Sequence, residues 1–246
     1  MERKDGRKNN EVRPITMIRD YIKYAEGSVW IEMGNTKLIC TASVENRIPN
    51  FIEEEGGGRG WVTAEYAMLP RATQTRNRRS GSGRSSEIQR LIGRALRAVV
   101  DLKAIGERTI TLDCDVIQAD GGTRSAAITG SFIALADAVK YLIINCGVGE
   151  KALRSYIAAI SIGLKDGVEL LDLTYEEDSC VDVDFNLAMT SFGEIVEIQS
   201  TAEGKPLTEN QLQSILKLGK EGISILIDKQ KELLAPVIKE FPIFSV

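Results

Sequence analysis

The sequence predicts an α+β protein of two halves that share one core. Three observations carry this. Segments of strict period-two alternation occur in pairs on both sides of the middle of the chain. Residues 124 to 144 are apolar on most sides, as a helix buried between other elements must be. The join at residues 145 to 155 is short and not rich in proline or serine, so it ties the halves together rather than separating them.

Taken in chain order, SVWIEMGNTKLICTASV (28 to 44) alternates about a Gly-Asn turn and predicts a hairpin. EEEGGGRG (53 to 60) reads as a surface loop. LPRATQTRNRRSGSGRS (69 to 85) lacks apolar periodicity and reads as a second loop. SSEIQRLIGRALRAVVD predicts a helix with one stripe of Ile88, Leu91, Ile92, Ala95, Leu96 and Val99, started by a capping box of Ser86 and Gln89. This puts Arg84 two residues before the cap, near the positive end of the helix. Residues 107 to 119 predict a strand with Ile110, Leu112, Cys114 and Val116 inward. Thr123 is the expected N-cap of the buried helix that follows. IAAISIGLKDGVELLDL (157 to 173) predicts a hairpin on a Lys-Asp-Gly turn, and residues 182 to 200 a second one around Ser191 to Glu194. Thr208 with Gln211 predicts the start of a long amphipathic helix that ends before Pro236. The N-terminal half, 1–145, and the C-terminal half, 156–235, show no repeat by residue identity.

Composition narrows the chemistry. The chain has no histidine, which removes Ser-His-Asp and Cys-His catalysis and histidine-ligated zinc. Cys40, Cys114, Cys146 and Cys180 are scattered, with no C-x-x-C pair, and are expected as buried thiols. The charged start MERKDGRKNN has no apolar core, and no apolar run reaches the roughly 18 residues of a membrane span. A cytoplasmic protein with no membrane contact is the expectation.

Charge is segregated. Net charge is −4, yet residues 71 to 97 hold eight arginines and one acid, a local +7 that leaves −11 for the remainder. A solvated face is the plain alternative, but such faces mix in lysine and glutamate. Arginine without lysine suits phosphate, which accepts two parallel hydrogen bonds from the planar guanidinium.

Two further stretches bear chemistry. In QADGGTRSAAITG (118 to 130), paired glycines and a helix start offer backbone N–H groups to an anion, and Arg124 adds a fixed charge. A structural turn before a tightly packed helix is the alternative, and the stretch fits neither standard nucleotide-binding glycine pattern. In TYEEDSCVDVDFN (174 to 186), Asp178, Asp182 and Asp184 fall together; Asp182 and Asp184, two apart on a strand, are expected on one face. Oxygen ligands without histidine suit Mg²⁺ or Mn²⁺, and an acidic turn facing solvent is the bland reading. An anion cradle, paired carboxylates and an arginine-rich loop together compose a site for phosphoryl chemistry on a nucleic acid.

Long blocks carry a resemblance. DGR (5 to 7), EVRPI (11 to 15), GWVTAEYAMLPRAT (60 to 73), SGRSSEIQRLIGRALRAVVDL (82 to 102), GERTITLDCDVIQADGGTRSAAITG (106 to 130) and LDLTYEEDS (171 to 179) closely resemble the bacterial ribonuclease PH family, over nearly the whole chain. The resemblance implies two related α+β units akin to a ribosomal-protein domain, assembled into a homohexameric ring, a trimer of dimers. It implies a phosphorolytic 3′→5′ exoribonuclease that trims tRNA precursors with inorganic phosphate as co-substrate, acts on other RNA 3′ ends and runs in reverse. Carried over by motif, the phosphate contacts fall on Arg84, Gly122, Thr123 and Arg124. The catalytic and metal-binding residues fall on Asp178 and Asp184, with Asp182 in support. The RNA contacts fall on Arg71, Arg76 and Arg79. Departures are Gln74, Ser125 and the acidity of the 53–60 loop, none of them in the cradle or the aspartate pair.

Overall fold

A computed structural model of the chain describes residues 3–78, 83–203 and 205–245. The predicted first hairpin is β2 (Gly27–Met33) with β3 (Thr36–Glu45), turned through Gly34 at φ 57°. It is extended by a strand that sequence periodicity did not disclose, β1 (Ile15–Arg19), whose five residues pair antiparallel with β2. After a short helix, α1 (Asn50–Glu54), come β4 (Trp61–Met68), α2 (Gly83–Ala98) and β5 (Thr109–Gln118). β4 and β5 are parallel, so α2 is the crossover that such a pair needs. β5 returns antiparallel to β3, and the first sheet has the order β1-β2-β3-β5-β4. β4 is a further strand beyond the predicted ones, with Val62, Ala64 and Tyr66 alternating inward.

α3 (Thr123–Cys146) follows and is buried along most of its length against β2, β3, β5 and α2 of the first unit and against the second. By length and composition it could cross a membrane, but most of its residues are buried inside the protein. The second sheet is antiparallel: β6 (Ile157–Lys165), β7 (Val168–Leu171), β8 (Val183–Thr190) and β9 (Ile195–Ala202), in the order β7-β6-β8-β9. Between β7 and β8 lies α4 (Tyr175–Asp178), a single turn closed by a capping box of Thr174 and Glu177. The last element is α5 (Glu209–Glu240), opened by the predicted Thr208–Gln211 box.

Three boundaries differ from expectation for physical reasons. α2 begins at Gly83, so Ser86 and Gln89 lie inside it, and the Gln89 amide donates to Glu65 instead of to a cap. α5 runs through Pro236 because Leu234 and Val237, on either side of it, are buried; packing outweighs the one lost backbone hydrogen bond. Of the thiols, Cys40 and Cys114 are buried opposite each other on β3 and β5, but Cys180 is exposed.

The units share one core. At its centre the fully buried Gln230 of α5 donates to the carbonyls of Thr129 in α3 and Ile157 in β6, both at 2.9 Å. Gln230→Ala therefore removes two buried hydrogen bonds and opens a void, partly offset by removal of the unpartnered Gln230 Oε1, a net loss of about 1–3 kcal/mol. Urea denaturation monitored by circular dichroism measures it, with one transition expected because one core is being broken.

Candidate active site

A cleft of about 1260 Å³ opens where the two units meet. One wall is the start of α3. β5 ends at Gln118, and Gly121 (φ 76°) and Gly122 (φ 66°) then turn the chain left-handed into the helix. Gly122, not Thr123, is the N-cap; having no side chain, it caps nothing, and Thr123 becomes the first helical residue. The first internal bond is Ala126 N–H to the Gly122 carbonyl at 3.0 Å, so the N–H groups before it have no acceptor within the helix. Gly122, Thr123 and Arg124 all line the cleft.

The glycines serve a second purpose. A Cβ on Gly121 would lie 2.4 Å from the Leu173 carbonyl oxygen and 2.8 Å from the Tyr175 nitrogen. This bare backbone contact seats the helix start of one unit directly on the loop that carries α4 in the other. Arg13, buried just before β1, locks the two together. Its guanidinium donates to Asp172 at 2.6 and 3.0 Å and to the Asp120 carbonyl at 2.6 Å, while its backbone N–H donates to Asp172 at 2.8 Å. Arg3 grips the same loop through the Leu171 and Asp172 carbonyls and the Glu177 carboxylate.

The opposite wall carries Asp178, the last residue of α4, and Asp184, on β8. Burial raises the Asp178 carboxyl above its ordinary value, against the pull of Arg124 and Arg84. Burial likewise raises Asp184, with the charge of Asp178 adding to it; Arg124, the 3.0 Å hydrogen bond from the Asn186 amide and Arg84 act the other way. The two carboxylates and two arginines thus sense one another across the cleft. Asp182 is elsewhere: its carboxylate accepts the Asp166 N–H of the β6–β7 turn at 2.8 Å. The expected shared face fails because regular strand geometry begins only at Val183.

The structure places Arg84 in the first turn of α2, exposed and lining the cleft. Arg124 is tethered to Gln199 of β9, which in turn donates to Glu87 of α2 at 2.7 Å. Among the residues assigned to RNA, Arg71 lines the cleft, Arg76 is exposed outside it, and Arg79 lies outside the described residues. Arg78, not singled out from sequence, lines the cleft. Two arginines of the basic run serve the fold instead. Arg94 pairs with Glu197 at 3.0 Å, and Arg97 donates to the Val62 carbonyl at 2.7 Å while lying 4.3 Å from the centre of the Trp61 ring.

Sequence reasoning also missed Tyr66, Arg13 and Asn186. Tyr66 had a signal in the inward alternation of β4; Arg13 had none, since its partner is 159 residues away. Among the described residues no group of three or more acidic, cysteine or histidine side chains forms a metal cage. The candidate is an open pair, Asp178 and Asp184, and two half-buried carboxylates with raised proton affinity suit a divalent cation completed by water or phosphate oxygens.

Comparison with known proteins gives the family and the fold. Residues 11–140 match domain 1 of the 3′ exoribonuclease family and residues 155–222 match its domain 2. The chain belongs to that family, and its two-unit α+β architecture is the ribonuclease PH fold. Among solved structures it is similar to Rrp46 of rice (Oryza sativa), at TM-score 0.77 and 19% identity, over 94% of this chain and 100% of that one. It is similar to the Archaeoglobus fulgidus exosome with RNA bound to the active site, at TM-score 0.77 and 22% identity, over 93% and 92%. An archaeal exosome core matches at TM-score 0.76 and 22% identity, over 94% and 91%. At these identities the likeness is one of fold.

The raised carboxyls have a measurable consequence. Asp178 and Asp184 bind protons more tightly folded than unfolded, so their contribution favours the folded state below the ordinary aspartate range and is lost as pH rises through the raised values. Asp184→Asn removes this liability and is expected to melt higher than the wild type at pH 7, the difference closing below about pH 3.5. Thermal melts across pH test this; a lower melting temperature for the variant at pH 7 contradicts it.

Proposed function

We propose that the protein is a phosphorolytic 3′→5′ exoribonuclease of the ribonuclease PH type, removing 3′ nucleotides from tRNA precursors and releasing nucleoside diphosphates. The observation that carries this is the juxtaposition just described: unpaired helix N–H groups and two arginines face two aspartates whose full ionisation is unfavourable without a cation. The chain has no histidine, the commonest base for activating water in hydrolysis. Phosphate dianion is nucleophilic at neutral pH without one.

In this reading inorganic phosphate rests on the Gly122, Thr123 and Arg124 turn, with Arg84 opposite. The first-turn N–H groups and the helix dipole hold it, and the guanidinium groups orient it. One phosphate oxygen attacks the phosphorus of the last 3′,5′ linkage. The bond to the 3′-oxygen breaks, the shortened RNA leaves with a 3′-hydroxyl, and the terminal nucleotide departs as its 5′-diphosphate. Asp178 and Asp184 would hold Mg²⁺ or Mn²⁺, which when bound supplies neutralisation of charge on the scissile phosphate and leaving oxygen. Asn186 keeps Asp184 oriented toward the cleft. Exposed Arg71, Arg76 and Arg78 grip upstream phosphates, with Arg79 of the same loop assigned with them.

No bond in this scheme is irreversible, so the same site adds nucleotides from diphosphates when phosphate is scarce, and rRNA 3′ ends are within its chemistry. A homohexamer of trimer-of-dimers form, acting in the cytoplasm, belongs to the same proposal; light scattering gives its mass. The fold likeness to exosome rings favours one other reading, a ring subunit that binds RNA without cutting it. Arg84, Thr123, Arg124, Asp178 and Asp184 standing together in one cleft argue against it.

Separating the products from an RNA with a labelled 3′ nucleotide decides among the readings. Nucleoside diphosphate released only when phosphate is added is the expected result. Monophosphate released in phosphate-free buffer means hydrolysis, and RNA bound but uncut means a structural ring subunit.

A further inference from the structure

Tyr66 is a residue of the cleft with no role so far. It sits on β4 in register with Cys114 of the parallel β5, which puts its ring under the start of α3. The ring is buried, yet its hydroxyl reaches the cleft wall and lies 2.8 Å from Thr123 Oγ1, the one side-chain hydroxyl in the Gly122–Arg124 turn. Among the described residues this is the sole side-chain hydrogen bond of either hydroxyl.

A hydroxyl has one proton to give. A phenol is a better donor and a poorer acceptor than an aliphatic alcohol. Burial also pushes the Tyr66 phenol up to about 12, so it keeps its proton at any working pH. Tyr66 therefore donates and Thr123 accepts. With an acceptor site on Oγ1 occupied from below, the Thr123 proton is turned away from Tyr66 and toward the open cleft, where Arg84 and Arg124 gather an anion.

We propose that Tyr66 is a positioning residue: by donating to Thr123 Oγ1 it fixes the threonine hydroxyl as a hydrogen-bond donor to the phosphate co-substrate. This rests on the phosphorolytic reading above and extends it. In this role Tyr66 acts through Thr123 rather than by contact with phosphate or RNA. It removes the rotational freedom of a group that would otherwise have to be ordered when the anion binds.

The opposite polarity, Thr123 donating to Tyr66, predicts the opposite result, which makes the test sharp. Tyr66→Phe keeps the ring and deletes the hydroxyl. Phosphorolysis is followed with phosphate and RNA varied separately, alongside melting temperature and calorimetric titration with inorganic phosphate. The expected result is a phosphate KM raised about fivefold, the scale of one ordered hydrogen bond, with the RNA KM unchanged. Phosphate binding weakens in parallel. In a Thr123→Val background Tyr66→Phe adds nothing further, whereas Thr123→Ser, which keeps an acceptor and a donor, retains the sensitivity.

An unchanged or lowered phosphate KM in Tyr66→Phe overturns the proposal. So does a loss that adds in full to that of Thr123→Val, or one shared equally by RNA and phosphate with a lowered melting temperature, since both mark a packing role. If the wild type yields no nucleoside diphosphate, the functional reading falls first and calorimetry still decides. Weaker phosphate binding to Tyr66→Phe upholds the positioning role; equal binding, or none to either protein, ends it.

Discussion

The ion pair between Arg13 and Asp172 is the interaction on which the site depends. Both side chains are almost wholly removed from water. Such a pair is stable only if every donor and acceptor finds a partner, because two desolvated charges gain from each other less than they lose to burial. Here they do. Asp172 accepts from the Arg13 backbone and twice from its guanidinium, and the remaining nitrogen finds the Asp120 carbonyl. Asp172 adopts a left-handed backbone (φ 54°), which a non-glycine residue keeps only when its surroundings hold it. Losing either partner of a buried pair costs roughly 3–5 kcal/mol, comparable with much of a domain's net stability. The pair thus acts as a brace: an N-terminal segment ties the glycine turn of the first unit to the α4 loop of the second.

This brace explains how the site tolerates its own electrostatics. Asp178 and Asp184 are half-buried on one wall, burial raises the proton affinity of both, and the charge of Asp178 raises that of Asp184 further, an arrangement that strains an unsupported α4–β8 wall. The wall is held, because α3 is buried along most of its length and Gly121, in the turn that leads into it, is pressed onto Leu173 and Tyr175. Carboxylate strain is held in place by packing elsewhere, which is how a binding site is kept in the shape its ligand needs before the ligand arrives. Arg84 and Arg124 lower the strain without abolishing it. Of the two, Arg124 is anchored through Gln199 and Glu87, while Arg84 lies exposed at the start of α2, so one wall is fixed and the other can adjust.

Local periodicity made most of the scaffold legible. The β2–β3, β6–β7 and β8–β9 hairpins, β5, α3 and the Thr208 box all follow from patterns that neighbouring residues impose on one another. What was not legible is non-local. β1 is too short for alternation to stand out, and it is a strand because β2 offers it an edge. Thr174–Glu177 is a capping box in plain view, yet the acids around it drew attention to ligands rather than to a helical turn. Thr123 looked like an N-cap because threonine favours that position; two consecutive left-handed glycines moved the cap back one residue and released its hydroxyl for Tyr66. Arg13 resembles any other arginine until its distant partner is known. The anion cradle and the aspartates could be read as separate motifs, whereas the contacts that bring them together could not.

The arginines divide by the same logic. Those with partners inside the fold, Arg94 and Arg97, shape the surface of α2, and their charges are largely balanced or turned inward. Of those that are exposed, Arg71, Arg78 and Arg84 line the cleft, and Arg76 belongs to the same loop as Arg71 and Arg78. The rest of the chain is acidic, so a polyanion is repelled from most of the surface and attracted at one place. A long anionic chain needs several weak, replaceable contacts so that it can advance after each cut; a small anion needs few contacts, rigidly set. Exposed arginines on a loop provide the first and backbone N–H groups at a braced helix start provide the second. The division of labour therefore follows from where each positive charge is held, and it requires the helix start to be the immobile member of the pair.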